Sequence, residues 1–152
     1  MLRQADETIL LVEDGEAEVL LIQQAVASCP DELHLAVARD ATEALEWLSD
    51  TVKRGYSMPR LILLDLKLPK LAGLAVLRTL RMESRLKEVP IVVFSEQHEP
   101  SDVVLSYQIG ANSFVKKPVN HTEFTQLLQE LAALGWLSGK GLNHPCSQSI
   151  RL

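Results

Sequence analysis

Leu61-Ile62-Leu63-Leu64-Asp65 is an apolar run closed by a single carboxylate. The apolarity is continuous, which implies burial on both faces, as in a central strand of a parallel sheet. Upstream, Thr51 to Arg60 contains Gly55 and Pro59 and reads as a loop; downstream, Pro69 postpones any helix until after it. Leu74, Val76, Leu77 and Leu80 then recur at helical spacing. Similar short runs stand at Ile9 to Val12, ending in Glu13-Asp14, and at Ile91 to Phe94, ending in Ser95. Leu33 to Ala38 alternates, and Ser113 to Lys116 is a short run before Lys117-Pro118. Between them lie helical patterns: Val19, Leu20, Ile22, Ala25 and Val26; Ala44, Leu45 and Leu48; a segment after Pro100; and Phe124, Leu127, Leu128, Leu131 and Leu134. Asp40 with Glu43, and Asn120 with Glu123, have the spacing of capping boxes. Strands alternating with helices predict an α/β fold, an open doubly wound parallel sheet of five strands with right-handed crossovers.

The bulk properties bound the function. With 152 residues, 47% hydrophobic and 23% charged, the chain has the composition of one globular domain. From Gly135 the pattern frays, so residues 1–138 are expected to form the domain and 139–152 a tail. A net charge of −5 without a basic stripe argues against direct nucleic-acid binding. No apolar run is long enough for a signal peptide or a membrane span. Cys29 and Cys146 lack metal or disulfide spacing, and His34, His98, His121 and His144 lack ligand spacing. The expectation is a reduced, cytoplasmic protein.

In doubly wound sheets ligands bind outside the carboxyl ends of the strands. Glu13-Asp14, Asp65, Ser95 and Lys117 each close a different apolar run, so the fold gathers them at one edge. Singly, each has an ordinary reading: a turn carboxylate, acids at a helix start, a strand-end hydroxyl, a surface amine. Jointly they make a site. Three neighbouring carboxylates favour a cation, and hard oxygen donors favour Mg²⁺. A carboxylate can act as nucleophile toward phosphorus, and Asp65, ending the most apolar strand, is the best held. Lys117 and Ser95 are suited to stabilise phosphoryl oxygens.

This set resembles the receiver family of two-component signalling. LLVED (10–14) is similar to its first strand and acidic pair, and LILLDLKLPKLAG (61–73) to its phosphoacceptor strand and following loop. VVFS (92–95) and GANSFVKKP (110–118) are similar to its last two strand ends. The resemblance runs from about Thr8 to Leu134 and implies a flavodoxin-like strand order 2-1-3-4-5. It implies a phosphoryl group on Asp65 from a histidine kinase, and Mg²⁺ held by Glu13, Asp14, Asp65 and the backbone carbonyl of Lys67. It implies phosphate contacts from Ser95 and Lys117, with Phe114 as the switch aromatic. The product of the chemistry would be a signal to a downstream protein rather than enzymatic turnover of a metabolite. Within the family the chain resembles single-domain, phytochrome-associated regulators, which are typically homodimers; Phe124, Trp136 and Leu137 are expected to supply apolar contact. Ala72 departs from the family's Asp before Gly73, while Lys67 and Glu96 stand where they are expected to tune phosphorylation rates.

Three other functions compete for these residues. A pseudo-receiver scaffold working without phosphorylation shares the fold. An aspartyl phosphatase wants an acid two residues after the nucleophile, where Lys67 stands. A flavin site is opposed by the acidic loop EDGEAE (13–18).

Overall fold

The computed structural model describes residues 8–29, 33–66, 70–96, 99–118 and 120–136. Strands and helices alternate: β1 (Thr8–Val12), α1 (Glu16–Ala27), β2 (His34–Ala38), α2 (Ala41–Lys53), β3 (Leu61–Asp65), α3 (Lys70–Met82), β4 (Ile91–Ser95), α4 (Pro100–Ile109), β5 (Ser113–Lys116) and α5 (His121–Ala133). The strands form one parallel sheet in the order β2-β1-β3-β4-β5, as the resemblance implies.

Side-chain alternation along the strands builds two cores. Ile9, Leu11, Leu61, Leu63, Val92, Phe94 and Val115 face α1 and α5; Leu10, Val12, Ile62, Leu64, Ile91, Val93 and Phe114 face α2, α3 and α4. The central strands are therefore buried on both sides, which is why their sequences are continuously apolar. Strand β2 lies at the edge and is only partly covered, matching its alternating pattern.

Local details depart from the sequence reading for physical reasons. Asp40 accepts from the Glu43 N–H at 2.9 Å, but the Glu43 carboxylate takes the N–H of Arg39 at 2.8 Å, one residue before the cap. Asn120 accepts from the Glu123 N–H at 2.9 Å. Helix α2 continues through Lys53 into the segment expected to be loop, because no breaker precedes Gly55, which takes φ 75°. The 3-10 turn Ser84–Leu86 had no periodic signal to announce it. Phe124 and Trp136, expected at a dimer contact, are 1% and 4% exposed and belong to the α1–α5 core. Their rings fill the space between sheet and helices, so they are not available to a partner; Leu137 lies outside the described residues. Among the described residues no helix is long and apolar enough to cross a membrane.

Candidate functional site

The backbone ladder continues one residue beyond several strands; Glu13 and Lys117 stand on such extensions, while Asp65 and Ser95 are the last residues of β3 and β4. Glu13 donates its N–H to Ala38 O at 2.9 Å, Leu66 to Phe94 O at 2.8 Å, and Lys117 to Ser95 O at 2.8 Å. Register aligns Val12 with Leu64, Asp65 with Phe94, and Ser95 with Lys116, so the four strand ends reach one level. Glu13, Asp65, Ser95 and Lys117 are all buried at that edge.

Lys117 is the hub. Its Nζ lies 3.3 Å from Glu13 Oε1, 3.3 Å from Asp65 Oδ2 and 3.7 Å from Glu18 Oε2. The ammonium also sits 5.7 Å from the centroid of the Phe94 ring, whose face attracts a cation. Phe94 in turn meets Phe124 edge-on, with centroids 6.0 Å apart. Glu13 Oε2 accepts the Gly15 N–H at 2.9 Å, which locks the turn after β1.

The electrostatics follow from this crowding. Burial, then the neighbouring Asp65 charge, push the Glu13 carboxyl above its ordinary 4.5, against the opposing pull of the Gly15 N–H and Lys117. Burial alone lowers the Lys117 amine, but the charges of Asp65, Glu13 and Glu18 outweigh it and hold it above 10.5. Burying one ammonium among three carboxylates leaves a local excess of negative charge.

Glu13, Asp14 and Asp65 line one cleft of about 210 Å³, together with Arg39, Asp40, Ala72 and Gly73. Asp14 stands exposed at its rim. Glu13 and Asp65 lie close enough to share a side-chain hydrogen bond. Among the described residues no three Asp, Glu, His or Cys side chains form a cluster of metal-binding size. Lys117 lies 3.3 Å from an oxygen of each of Glu13 and Asp65 and supplies positive charge beside them. The donor set still suits a hard divalent cation, since Mg²⁺ typically uses only one or two carboxylates and keeps several waters.

Gly73 has a role beyond marking the loop. A Cβ there would come 2.5 Å from Leu66 Cδ1 and 3.3 Å from Leu66 Cα, so glycine lets α3 lie against the residue following Asp65. Glu96 follows Ser95 and is exposed. Phe114 is fully buried in the α2–α4 core, and its N–H donates to the Tyr107 hydroxyl at 3.1 Å. Lys67 lies outside the described residues. Sequence reasoning missed Glu18 and Tyr107: each stands inside a helix, away from the strand ends on which the reading relied.

Residues 9–129 match the family model for the response regulator receiver domain. Response regulator Rcp1 of Synechocystis is 33% identical over 132 residues, covering 86% of this chain and 89% of that protein. The probable methanogenesis regulatory protein FilR2 of Methanothrix harundinacea is 33% identical over 135 residues, with 88% and 87% covered. Among solved structures, the phosphorylated cyanobacterial phytochrome response regulator RcpA aligns with a TM-score of 0.74 at 34% identity, over 89% of this chain and 96% of that one. The Mn²⁺-bound form of Rcp1 aligns with a TM-score of 0.70 at 32% identity, over 87% and 95%. With its strand order, its acidic and lysine strand ends and this match along most of its length, the chain belongs to the response regulator receiver family of two-component signalling.

Proposed function

We propose that the chain is a single-domain response regulator that accepts a phosphoryl group on Asp65 from a histidine kinase and passes the change to a protein partner. The observation that carries this reading is the buried Lys117 ammonium, 3.3 Å from Asp65 Oδ2 at an edge shared with Ser95. An Asp65 oxygen attacks phosphorus, the P–N bond to the donor imidazole breaks, and its electron pair stays on the ring nitrogen. Lys117 then serves the new phosphoryl oxygens, and the Ser95 hydroxyl donates to one of them. Glu13, Asp14, Asp65 and the Lys67 carbonyl are the groups assigned to a divalent cation, Mg²⁺ in this reading. Such a cation, when bound, neutralises charge on the phosphoryl oxygens. The Mn²⁺-bound form of Rcp1 and the phosphorylated form of RcpA support both assignments.

Exposed Glu96 after Ser95 and Lys67 after the nucleophile tune how fast anionic donors and water reach Asp65. Similarity to RcpA, a cyanobacterial phytochrome response regulator, supports a phytochrome-type kinase as the donor. The signalling surface is assigned to α4, with Phe114 behind it. Val104 and Leu105 stand 55% and 40% exposed there, and α4 buries only Ser106. That apolar surface suits a downstream protein and a second copy of the chain. The site residues serve signalling, with no metabolite turned over, in the cytoplasm where the donor kinase domain would act.

Incubation with Mg²⁺ and acetyl phosphate should add the mass of one phosphoryl group to the chain. Asp65→Asn, or chelation of the cation, should remove that gain. No adduct on the wild-type chain, under conditions that trap rapid hydrolysis, overturns the reading and leaves a scaffold that works without phosphorylation.

A further inference from the structure

An ammonium has three N–H donors, and Lys117 has three carboxylates around it. The phosphoryl chemistry at Asp65 accounts for two of them, Glu13 and Asp65. The third, Glu18, comes from the first turn of α1, where an acid would ordinarily be read as complementing the helix dipole. Its neighbour Glu16 fits that ordinary reading, being exposed in the same turn. Glu18 is different, because its Oε2 reaches to 3.7 Å from Lys117 Nζ.

The backbone makes room for that reach. A Cβ at Gly15 would overlap Glu18 Oε1 and approach Glu13 Oε2 to 3.0 Å. Glycine at this turn therefore lets both carboxylates lie over Lys117. The three contacts are unequal, however. The Glu13 and Asp65 side chains are 0% and 2% exposed, whereas that of Glu18 is 32% exposed and its contact is the longest. A half-solvated carboxylate is rehydrated at little cost when its partner leaves.

We propose that Glu18 is a positioning residue for Lys117: its carboxylate holds the ammonium as a third ion-pair partner in the resting state and must release it when phosphoryl oxygens arrive. Glu18 thus biases the site toward the unphosphorylated form and sets how readily Lys117 turns to its new partner. This inference rests on the reading of Asp65 as phosphoacceptor and of Lys117 as its counter-ion.

The test uses the full chain with Mg²⁺ and beryllofluoride as the phosphoryl mimic. Glu18→Gln should bind beryllofluoride roughly 3-fold more tightly than wild type, the scale of losing one partly exposed ion pair. Glu16→Gln, which removes the same charge from the same turn, should bind like wild type. Without beryllofluoride, the Lys117 Cε resonance should move in Glu18→Gln and stay in place in Glu16→Gln, a signature that a purely structural role would not produce. Binding by wild type with no gain in Glu18→Gln overturns the role of Glu18 alone. An equal gain in both variants also overturns it, since it would reflect overall charge. No binding by wild type removes the phosphoacceptor reading, and this inference with it.

Discussion

A carboxyl group buried beside another carboxyl holds its proton more tightly than one in water, and Glu13 meets both conditions. Its folded-state pKa is raised above the ordinary 4.5, so the fold favours its protonated form. Below about pH 4.5 this costs nothing; as pH rises through the raised value, ionised Glu13 increasingly weakens the metal-free fold. Glu13→Gln should therefore gain stability on wild type as pH rises from below 4.5 toward neutrality, measured by urea unfolding in chelator. A constant difference across that range would contradict the assignment. Among single residues, the sequence was informative where position alone named the residue: Asp65, Ser95 and Lys117 each close an apolar run. It was silent on Glu18, whose place in a first turn looks like any dipole-complementing acid, and on how closely Lys117 approaches both Glu13 and Asp65. The second depends on how like charges settle when brought together, which spacing along the chain does not encode.

Helix α4 is held differently from its neighbours. It buries only Ser106, and its Tyr107 hydroxyl accepts the N–H of Phe114 at 3.1 Å. Because β5 ends the sheet, an N–H on its outer edge needs a partner other than a strand, and Tyr107 provides one. Tyr107→Phe should destabilise the chain by about 1 kcal/mol, the usual net value of one such bond. It should also speed hydrogen exchange at the Phe114 amide; unchanged exchange there would show that the hydroxyl does not secure α4 to β5. The weak amphipathicity of α4 explains why the sequence placed the helix only by Pro100, with no inward face. By contrast, α5 was legible throughout, from Asn120 at its cap to Leu131 in the core. Expecting Phe124 and Trp136 at a partner surface failed because large aromatic residues near a chain's last helix are equally suited to closing the core, and here they do so.

Across the molecule, the two ends of the sheet do different work. At the end opposite the carboxylates, Arg81 joins the starts of β4 and β5 to α3. Its guanidinium donates to Leu86 O at 2.7 Å, Val89 O at 3.1 Å, Gly110 O at 2.9 Å and 3.1 Å, and Asn112 Oδ1 at 2.9 Å. Asn112 Oδ1 also accepts the Ile91 N–H at 2.9 Å, so one side chain ties several loops together. Arg81→Met should cost about 3 kcal/mol in urea unfolding, because it leaves several carbonyls without donors. Phosphorylation of the folded variant should proceed at the wild-type rate; a large loss would mean the two ends are coupled. Nothing in the sequence singled out Arg81, since a lone arginine near a helix end is ordinarily a solvated charge. The alternation of strands and helices was readable because burial on two faces leaves its mark on every residue of a strand. The central claim is that this architecture makes Asp65 the phosphoacceptor. The most direct measurement is acetyl phosphate treatment with Mg²⁺, then borohydride reduction, which converts an aspartyl phosphate to homoserine, and peptide mass mapping. The account predicts homoserine at residue 65 and at no other aspartate. Homoserine at Asp14, or none at all, would contradict it.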